Sequence, residues 1–325
     1  MSQPRIGLAN LPTPLEPSPR LTEAWGGPTI WMKRDDLTGF GLTGNKVRKL
    51  EFHLAGAVNA GVDTVITCGA VQSNHSRATV LAAASVGLNT TLYLRSPDGQ
   101  PPKTITGNHF LQRLGGAECR FITPAEYDDR DRIMADAAAG HGNAWVIPEG
   151  ASDPLGALGF VAAMHELAPQ FDDRSLERPT IWHAASSAGT TAGMIRGASE
   201  LGLDVDIAGS SVGEPAHDVE ERVREILDGM NAAYGEVDET ASWRVTDEYV
   251  GLGYGLSTPE ELALQAEATR LTGLLFDPTY TGKVLYGLKQ EIERGRLTAG
   301  DHVVFWHTGG GFAPFAYPEL VESRK

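Results

Sequence analysis

Cysteine is nearly absent from this chain: Cys68 and Cys119 are the only two in 325 residues, and neither belongs to a C-x-x-C pair. That excludes a disulfide framework and gives no support to a zinc site, and no metal is expected. Cys68 follows the run Val65-Ile66-Thr67 and reads as a small buried residue. Basic residues are scarce as well, 27 against 42 acidic ones, for a formal net charge of −15. Such a surface is a poor partner for nucleic acid or an anionic membrane. Much of the excess lies between Glu214 and Glu248, eleven acidic residues against three basic, and reads as a solvated helix and loop. Long apolar runs are missing too, and the opening MSQPRIGLANLPTP carries early prolines. Neither a signal peptide nor a membrane anchor is expected, and a cytoplasmic location is.

Two nucleotide-binding signatures are also missing. The spacing of a triphosphate loop counted from Gly39 lands on Gly44 followed by Asn45 rather than lysine, and Gly282-Lys283 would need glycine where Asp277 stands. No GxGxxG follows a strand with an acid downstream.

What is present is an alternation of short apolar strands with helical patterns, which predicts the α/β class. Strands are predicted at Thr29–Lys33, Thr64–Cys68, Thr91–Arg95, Cys119–Thr123, Ala144–Pro148, Thr180–Ala184, Asp206–Val212 and His302–Trp306. Helices are predicted at Asn74–Val86, Leu155–Leu167, Thr190–Leu201, Pro259–Thr272 and Lys283–Arg294, with Phe171–Pro179 as a surface connection. With 41% hydrophobic and 21% charged residues the chain can bury a large core, divided between two domains.

One lysine stands out. Thr43, Gly44 and Asn45 are turn and cap residues, while Val47, Leu50, Leu54 and Val58 recur at helical spacing, so Lys46 opens a helix. The positive end of the helix dipole and buried surroundings both disfavour its ammonium form. A lysine of lowered pKa is the kind that forms Schiff bases. Ser186-Ser187-Ala188-Gly189-Thr190-Thr191-Ala192-Gly193 follows the strand Ile181-Trp182-His183 and opens another helix. Its free N–H groups and the Thr190 and Thr191 hydroxyls could wrap a phosphate, although a tightly packed turn without ligand would read the same way. Ser73, Asn74 and His75 lie where the strand ending at Cys68 turns into a helix, as caps or as a carboxylate site.

The stretch KRDDLTGFGLTGNKVRKLEF, from Lys33 to Phe52, resembles the lysine segment of the pyridoxal-phosphate enzymes grouped as D-cysteine desulfhydrase and 1-aminocyclopropane-1-carboxylate deaminase. Gln72-Ser73-Asn74-His75, Gly251-Leu252-Gly253-Tyr254-Gly255 and Asp277-Pro278-Thr279-Tyr280 resemble further motifs of that family, and the likeness covers almost the whole chain. It implies the tryptophan-synthase-β-like fold (fold type II): two three-layer α/β domains with the cofactor, pyridoxal 5'-phosphate, between them. The small domain would comprise residues 47–155, inserted between 1–46 and 156–325 of the large one. A homodimer acting on a small amino acid is also implied.

By resemblance Lys46 carries the cofactor, Ser187, Ala188, Gly189, Thr190 and Thr191 hold its phosphate, and Asn74 its phenolic oxygen. Thr281 and Thr308 lie near its pyridine nitrogen. Ser73, Asn74, His75 and Tyr280 meet the substrate, and Ser73, Tyr254 and Tyr280 move protons beside Lys46. The cyclopropane deaminases carry glutamate after the corresponding tyrosine, where Thr281 stands here. A hydroxyl there leaves the ring a weaker electron sink, which favours β-elimination, D-cysteine to pyruvate, ammonia and hydrogen sulfide, over cyclopropane opening. Cyclopropane deamination and L-cysteate sulfo-lyase activity remain the alternatives. Glu149-Gly150-Ala151-Ser152-Asp153 replaces the family's usual Gly-Gly-Ser-Asn, and Phe312 is an unusual neighbour; both bear on substrate choice.

Two rival readings come from outside that activity. Gly209-Ser210-Ser211-Val212-Gly213 matches the nucleophile elbow of a serine hydrolase using Ser211, with Asp277 and His307 following in order. An elbow needs a helix at once, however, and Glu214-Pro215 delays it. A non-catalytic pyridoxal-phosphate carrier would have no use for Ser73, Tyr254 and Tyr280.

Overall fold

Short apolar runs become strands of two sheets in the computed structural model, which describes residues 3–322. In chain order the strands are β1 (Leu15–Pro17), β2 (Thr29–Arg34), β3 (Thr64–Ala70), β4 (Asn89–Arg95) and β5 (Glu118–Ile122). They continue as β6 (Ala144–Val146), β7 (Thr180–Ala185), β8 (Asp206–Ser211), β9 (Ser242–Thr246) and β10 (His302–His307). The helices begin with α1 (Pro19–Trp25), α2 (Lys46–Asn59), α3 (Asn74–Ser85), α4 (Gly107–Leu114), α5 (Pro124–Asp128) and α6 (Arg130–His141). They end with α7 (Pro154–Asp172), α8 (Gly189–Leu201), α9 (Ala216–Tyr234), α10 (Pro259–Thr272), α11 (Thr281–Glu293) and α12 (Glu319–Glu322).

The larger sheet has the order β1-β2-β10-β7-β8-β9, parallel except for β1, and the smaller is parallel in the order β5-β4-β3-β6. Parallel sheets need helices on both faces, and the apolar clusters follow that rule. Phe160, Met164, Ile195 and Trp306 pack in a cluster on one side of the larger sheet; Trp182, Phe276, Leu285 and Phe305 pack in another. The smaller sheet lies between Leu50, Leu54 and Ala78 in one cluster and Cys68, Tyr127 and Met134 in another.

All eight expected strands are present with ends within two residues. The structure adds two edge strands, β1 and β9. Neither announces itself in sequence, because edge strands are short and half solvated: β9 buries only Val245. The acidic stretch is α9, whose Val219, Val223, Ile226 and Met230 face the core, followed by a loop and β9. Helix α7 runs five residues past the expected Leu167, because Phe171 still finds a buried place.

Three helices fix the site by close approach. A Cβ on Gly159 of α7 would collide with the carbonyl of Arg48 on α2, and one on Gly193 of α8 with the carbonyl of Ala157 on α7. Beneath them Arg48, fully buried, donates to Asp35 (2.8 and 2.9 Å) and Glu166 (2.9 and 3.0 Å). Lys33 reaches Glu166 at 2.5 Å and Trp306 donates to Asp35 at 2.9 Å. This network ties β2, β10, α2 and α7 together below the lysine. The Lys33 and Arg48 charges pull the Glu166 carboxyl down to about 2 against its burial.

Candidate active site

Loops leaving the carboxyl ends of β3, β6, β7 and β10 converge on one cleft, the expected place for a ligand in parallel α/β sheets. Lys46, Ser73, Asn74, His75, Ser187, Ala188, Thr190, Thr191, Tyr254, Tyr280 and Thr308 all border it, so the structure brings together residues far apart in sequence. Gly189 lies directly behind the lining: a Cβ there would stand 2.9 Å from Ser152 and 3.0 Å from the Lys49 amine.

Lys46 opens α2 as expected. Asn45 holds the cap position but makes no capping bond; its amide donates to the Thr190 hydroxyl (3.2 Å) and its N–H to the Thr308 carbonyl (3.1 Å). Gly44, at φ 111°, leaves no room for a Cβ beside that same carbonyl (2.7 Å). The lysine turn is thus sewn to the glycine turn after β10. The Lys46 amine lies 3.5 Å from the Gly150 carbonyl, and burial lowers its pKa to about 8 against the pull of the Glu149 carboxylate. A second buried lysine, Lys49, stands behind it, bonded to the Ser152 hydroxyl (2.9 Å). Burial and the neighbouring Lys46 charge hold its pKa well below the ordinary lysine range.

At the start of α8, Ala188 adopts a positive φ of 64°, and the Gly189 N–H closes the turn on the Ser187 carbonyl (2.8 Å). The Thr191 hydroxyl is buried and has no partner among the described residues. A buried hydroxyl without a partner is costly and implies an absent acceptor. The Ser187 hydroxyl bonds Ser152 at 2.7 Å.

Ser73 caps α3 by accepting the Ser76 N–H (3.1 Å), which leaves its own hydrogen free. Asn74 is oriented from behind: Arg77 donates to Asn108 Oδ1 (3.0 Å), so Asn108 Nδ2 donates to Asn74 Oδ1 (2.9 Å) and the Asn74 amine faces the cleft. The His75 ring is turned to Thr67 on β3 (2.8 Å); burial and the Lys46, Lys49 and His53 charges hold it neutral. What His75 offers a ligand is its N–H in the first helical turn.

The Tyr254 and Tyr280 hydroxyls meet at 2.6 Å with rings edge to face. Burial raises Tyr254 to about 12 and Tyr280 well above its usual value, so the pair is protonated at neutral pH. Tyr280 is set by Asp277, whose Oδ1 accepts the N–H groups of Thr279 (2.9 Å) and Tyr280 (2.6 Å). Thr281 does not border the cleft: its hydroxyl accepts the Asp277 N–H (2.8 Å) and faces Asp277 Oδ2 (3.3 Å). Phe312 also lies outside, against the Arg77 guanidinium and Phe40.

Sequence reasoning did not single out Lys49, Asn108 or Arg77. Their signal was burial of charged and amide groups inside helices, which a helical pattern conceals. The hydrolase constellation does not form: Ser211 donates to the Glu214 carbonyl (2.6 Å), His307 accepts the Gly309 N–H (3.2 Å), and the helix after the elbow begins only at Ala216.

A partly neutral lysine amine, a helix start with an unpartnered hydroxyl, and an amide aimed from the opposite wall fit pyridoxal phosphate, and the chain has the fold type II architecture of its enzymes. The family model "Pyridoxal-phosphate dependent enzyme" matches residues 6–309, and the chain belongs to that family. A putative 1-aminocyclopropane-1-carboxylate deaminase of Pyrococcus abyssi is 36% identical over 97% of this chain and 94% of its own. A D-cysteine desulfhydrase of Yersinia pestis is 36% identical over 98% and 97%. The crystal structure of an ACC deaminase homologue superposes with a TM-score of 0.87 at 33% identity, covering 99% of this chain and 97% of that one.

Proposed function

We propose that this protein is a lyase performing α,β-elimination on a small amino acid with a β leaving group, D-cysteine first, to pyruvate, ammonia and hydrogen sulfide. The observation that carries the reading is the protonated Tyr254–Tyr280 pair facing the same cleft as a lysine of lowered pKa. Such a pairing places a proton donor and a proton acceptor on one substrate. Bound pyridoxal phosphate supplies the electron sink for charge developing at the α-carbon.

The protein's own residues do the rest. Ser187, Ala188, Gly189, Thr190 and Thr191 would take the phosphate, whose charge would favour protonation of Lys49 beside it. Asn74 would donate to the phenolic oxygen, and Thr308 would meet the pyridine ring. The N–H groups opening α3, at Asn74 and His75, receive the substrate carboxylate beside the Ser73 hydroxyl. Lys46 would hold the cofactor covalently and, as a neutral amine, would remove the α-proton. Tyr280 and Tyr254 deliver a proton to the departing group.

Relatives named for cyclopropane deamination and for D-cysteine desulfhydration are equally identical to this chain, so identity does not separate the two. The preference for β-elimination is supported by Thr281, whose hydroxyl is held by Asp277 and would offer no carboxylate to a pyridine nitrogen. Pyruvate release from D- and L-amino acids, read beside the absorbance spectrum, tests the reading. Turnover of the cyclopropane substrate above that of D-cysteine would overturn it, and a coloured protein releasing no pyruvate would make it a carrier.

We also infer a small domain of residues 47–155 within a large one of 1–46 and 156–325. The location of β3 to β6 in a separate sheet supports that division. A homodimer is supported by an apolar patch in which Phe40 is 90% and Phe315 70% exposed. Light scattering tests it. No helix among the described residues is long and apolar enough to cross a membrane, and the acidic composition suits a cytoplasmic enzyme.

A further inference from the structure

The loop that carries Tyr254 into the cleft gives its ring little support. Gly253 and Gly255 flank the tyrosine at φ 106° and 72°, and the neighbouring Leu252 and Leu256 are exposed. What holds the ring is contact from elsewhere. Its Cβ lies against Gly213, where a side chain would collide with it, and its ring meets that of Tyr280 edge to face. The third contact is a cation: the Arg95 guanidinium stands 5.4 Å from the ring centre. Arg95 ends β4 in the smaller sheet, whereas Tyr254 follows β9 of the larger one, so this contact joins elements of the two sheets.

Arg95 is itself held in place. Its guanidinium stands 5.1 Å from the centre of the Tyr127 ring, which carries Arg130 at the same distance. The Tyr127 hydroxyl donates to Glu149 (2.7 Å), and the other Glu149 oxygen pairs with Arg130 (3.1 Å). Arg130, Tyr127, Arg95, Tyr254 and Tyr280 thus form one unbroken series of cation–ring and ring–ring contacts that ends at the cleft. Glu149 takes the Arg130 charge, but Arg95 is paired with no carboxylate among the described residues, so its charge acts on the two rings. A cation over an aromatic face restrains the ring and favours the phenolate form of a tyrosine.

We propose that Arg95 is a positioning residue that acts through Tyr254, fixing its ring and favouring release of a proton from the Tyr254–Tyr280 pair to the departing group. The proposal rests on the lyase reading. In that reaction Lys46 takes the α-proton, whose electron pair becomes the second Cα–Cβ bond. The Cβ–S pair leaves with sulfur, one phenol proton joins it, and the phenolate regains a proton from solvent. The groups acting on Tyr254 are Tyr280, Glu149, Arg95 and Tyr317. Burial raises its pKa to about 12, the Tyr280 bond and the Arg95 charge oppose that rise, and Glu149 and Tyr317 add to it. Of the four, Arg95 alone supplies a positive charge.

The test compares the holoenzyme with Arg95→Met, Arg95→Lys, Tyr254→Phe and the Arg95→Met/Tyr254→Phe double variant on D-cysteine and on β-chloro-D-alanine, whose chloride leaves without a proton. The ratio of kcat for D-cysteine to kcat for β-chloro-D-alanine should fall about tenfold in Arg95→Met, the size of one desolvated cation–π contact, and recover in part in Arg95→Lys. Adding Arg95→Met to Tyr254→Phe should lower the ratio no further, because the arginine acts through that hydroxyl. An equal fall on both substrates, or a further loss in the double variant, would overturn the proposal and leave the lyase standing. The ring contact is read without turnover by 3-fluorotyrosine placed at position 254: its fluorine resonance should shift and broaden in Arg95→Met, and an unmoved resonance would overturn the positioning role. Pyruvate from no amino acid would overturn the lyase reading and the acid role with it. Melting curves of the variants identify a fold defect, and Arg95→Lys, which keeps the charge, carries the comparison if Arg95→Met has one.

Discussion

Lys46 and Lys49 stand one helical turn apart on α2, and their amines reach the same acceptor, the carbonyl of Gly150, at 3.5 and 3.4 Å. Burial disfavours the charge on both amines, and the Lys46 charge disfavours that of Lys49 further. Under the proposed function a phosphate at the start of α8 would be their counter-ion, and the two lysines would divide the work between a covalent bond and a charge.

That division separates their variants. Lys46→Ala should abolish turnover and leave nothing for borohydride to fix to the protein. Lys49→Met should still be fixed at Lys46, yet should release the cofactor on dialysis with an affinity weaker by about 2–3 kcal/mol, the scale of a lost charge-assisted contact. Equal retention in Lys49→Met and wild type would remove Lys49 from the phosphate site.

Capture of pyridoxal phosphate by the apoprotein should rise with pH through about 8 and level off above it, because only the neutral Lys46 amine attacks and burial sets its pKa there. The sign for stability runs the same way. The folded pKa lies below the unfolded value of 10.5, so the unfolded chain binds the extra proton between about 8 and 10.5 and apoprotein stability gains with pH in that window. Lys46→Met should flatten that part of the profile, measured as the difference in unfolding free energy between the two proteins.

Asn74 depends on a neighbour that no motif contains. Asn108→Ala removes the donor fixing the Asn74 amide and leaves the Nε–H of buried Arg77 without its acceptor, while the Gly41 and Thr43 carbonyls still hold the rest of the guanidinium. We expect a loss of about 1–3 kcal/mol in stability. The absorption maximum should also shift, since the group facing the phenolic oxygen is free to rotate. An unchanged spectrum would place Asn74 away from the cofactor.

Legibility in the sequence followed periodicity. Strand β3 and helix α2 declared themselves because their buried residues recur at strand or helix spacing, and glycine-rich turns marked where the chain could approach a ligand. Lys49, Arg48 and Arg77 are fully buried yet ionisable, so a hydrophobic pattern counts them as solvent-facing; only the polar partners brought by distant segments make their burial tolerable. Tyr254 and Tyr280 were legible as loop tyrosines, whereas their 2.6 Å contact depends on the relative placement of two turns and was not. Thr281 was expected in the cleft and is instead spent on Asp277, since a hydroxyl four residues after a carboxylate completes that turn.

Asp277 supplies the sharpest pH test of the site's architecture. It is buried, and desolvation raises its pKa to about 6 even though three N–H groups and the Thr281 hydroxyl favour the charged form. Its folded pKa therefore lies above the unfolded 3.8, and the folded protein binds the extra proton between about 4 and 6. This carboxyl's contribution is fully present below pH 4 and is lost as pH rises through 6. Glu166, lowered to about 2, acts in the opposite direction, its contribution lost as pH falls below 4.5. A wild-type profile mixes the two, whereas the difference between wild type and Asp277→Asn isolates one. Asparagine retains the oxygen that accepts the Thr279 and Tyr280 N–H groups, so the variant should hold the Tyr280 turn while its stability relative to wild type rises from pH 4 to 6. A difference that stays flat across that range would mean Asp277 is ionised throughout and that its N–H donors outweigh its burial.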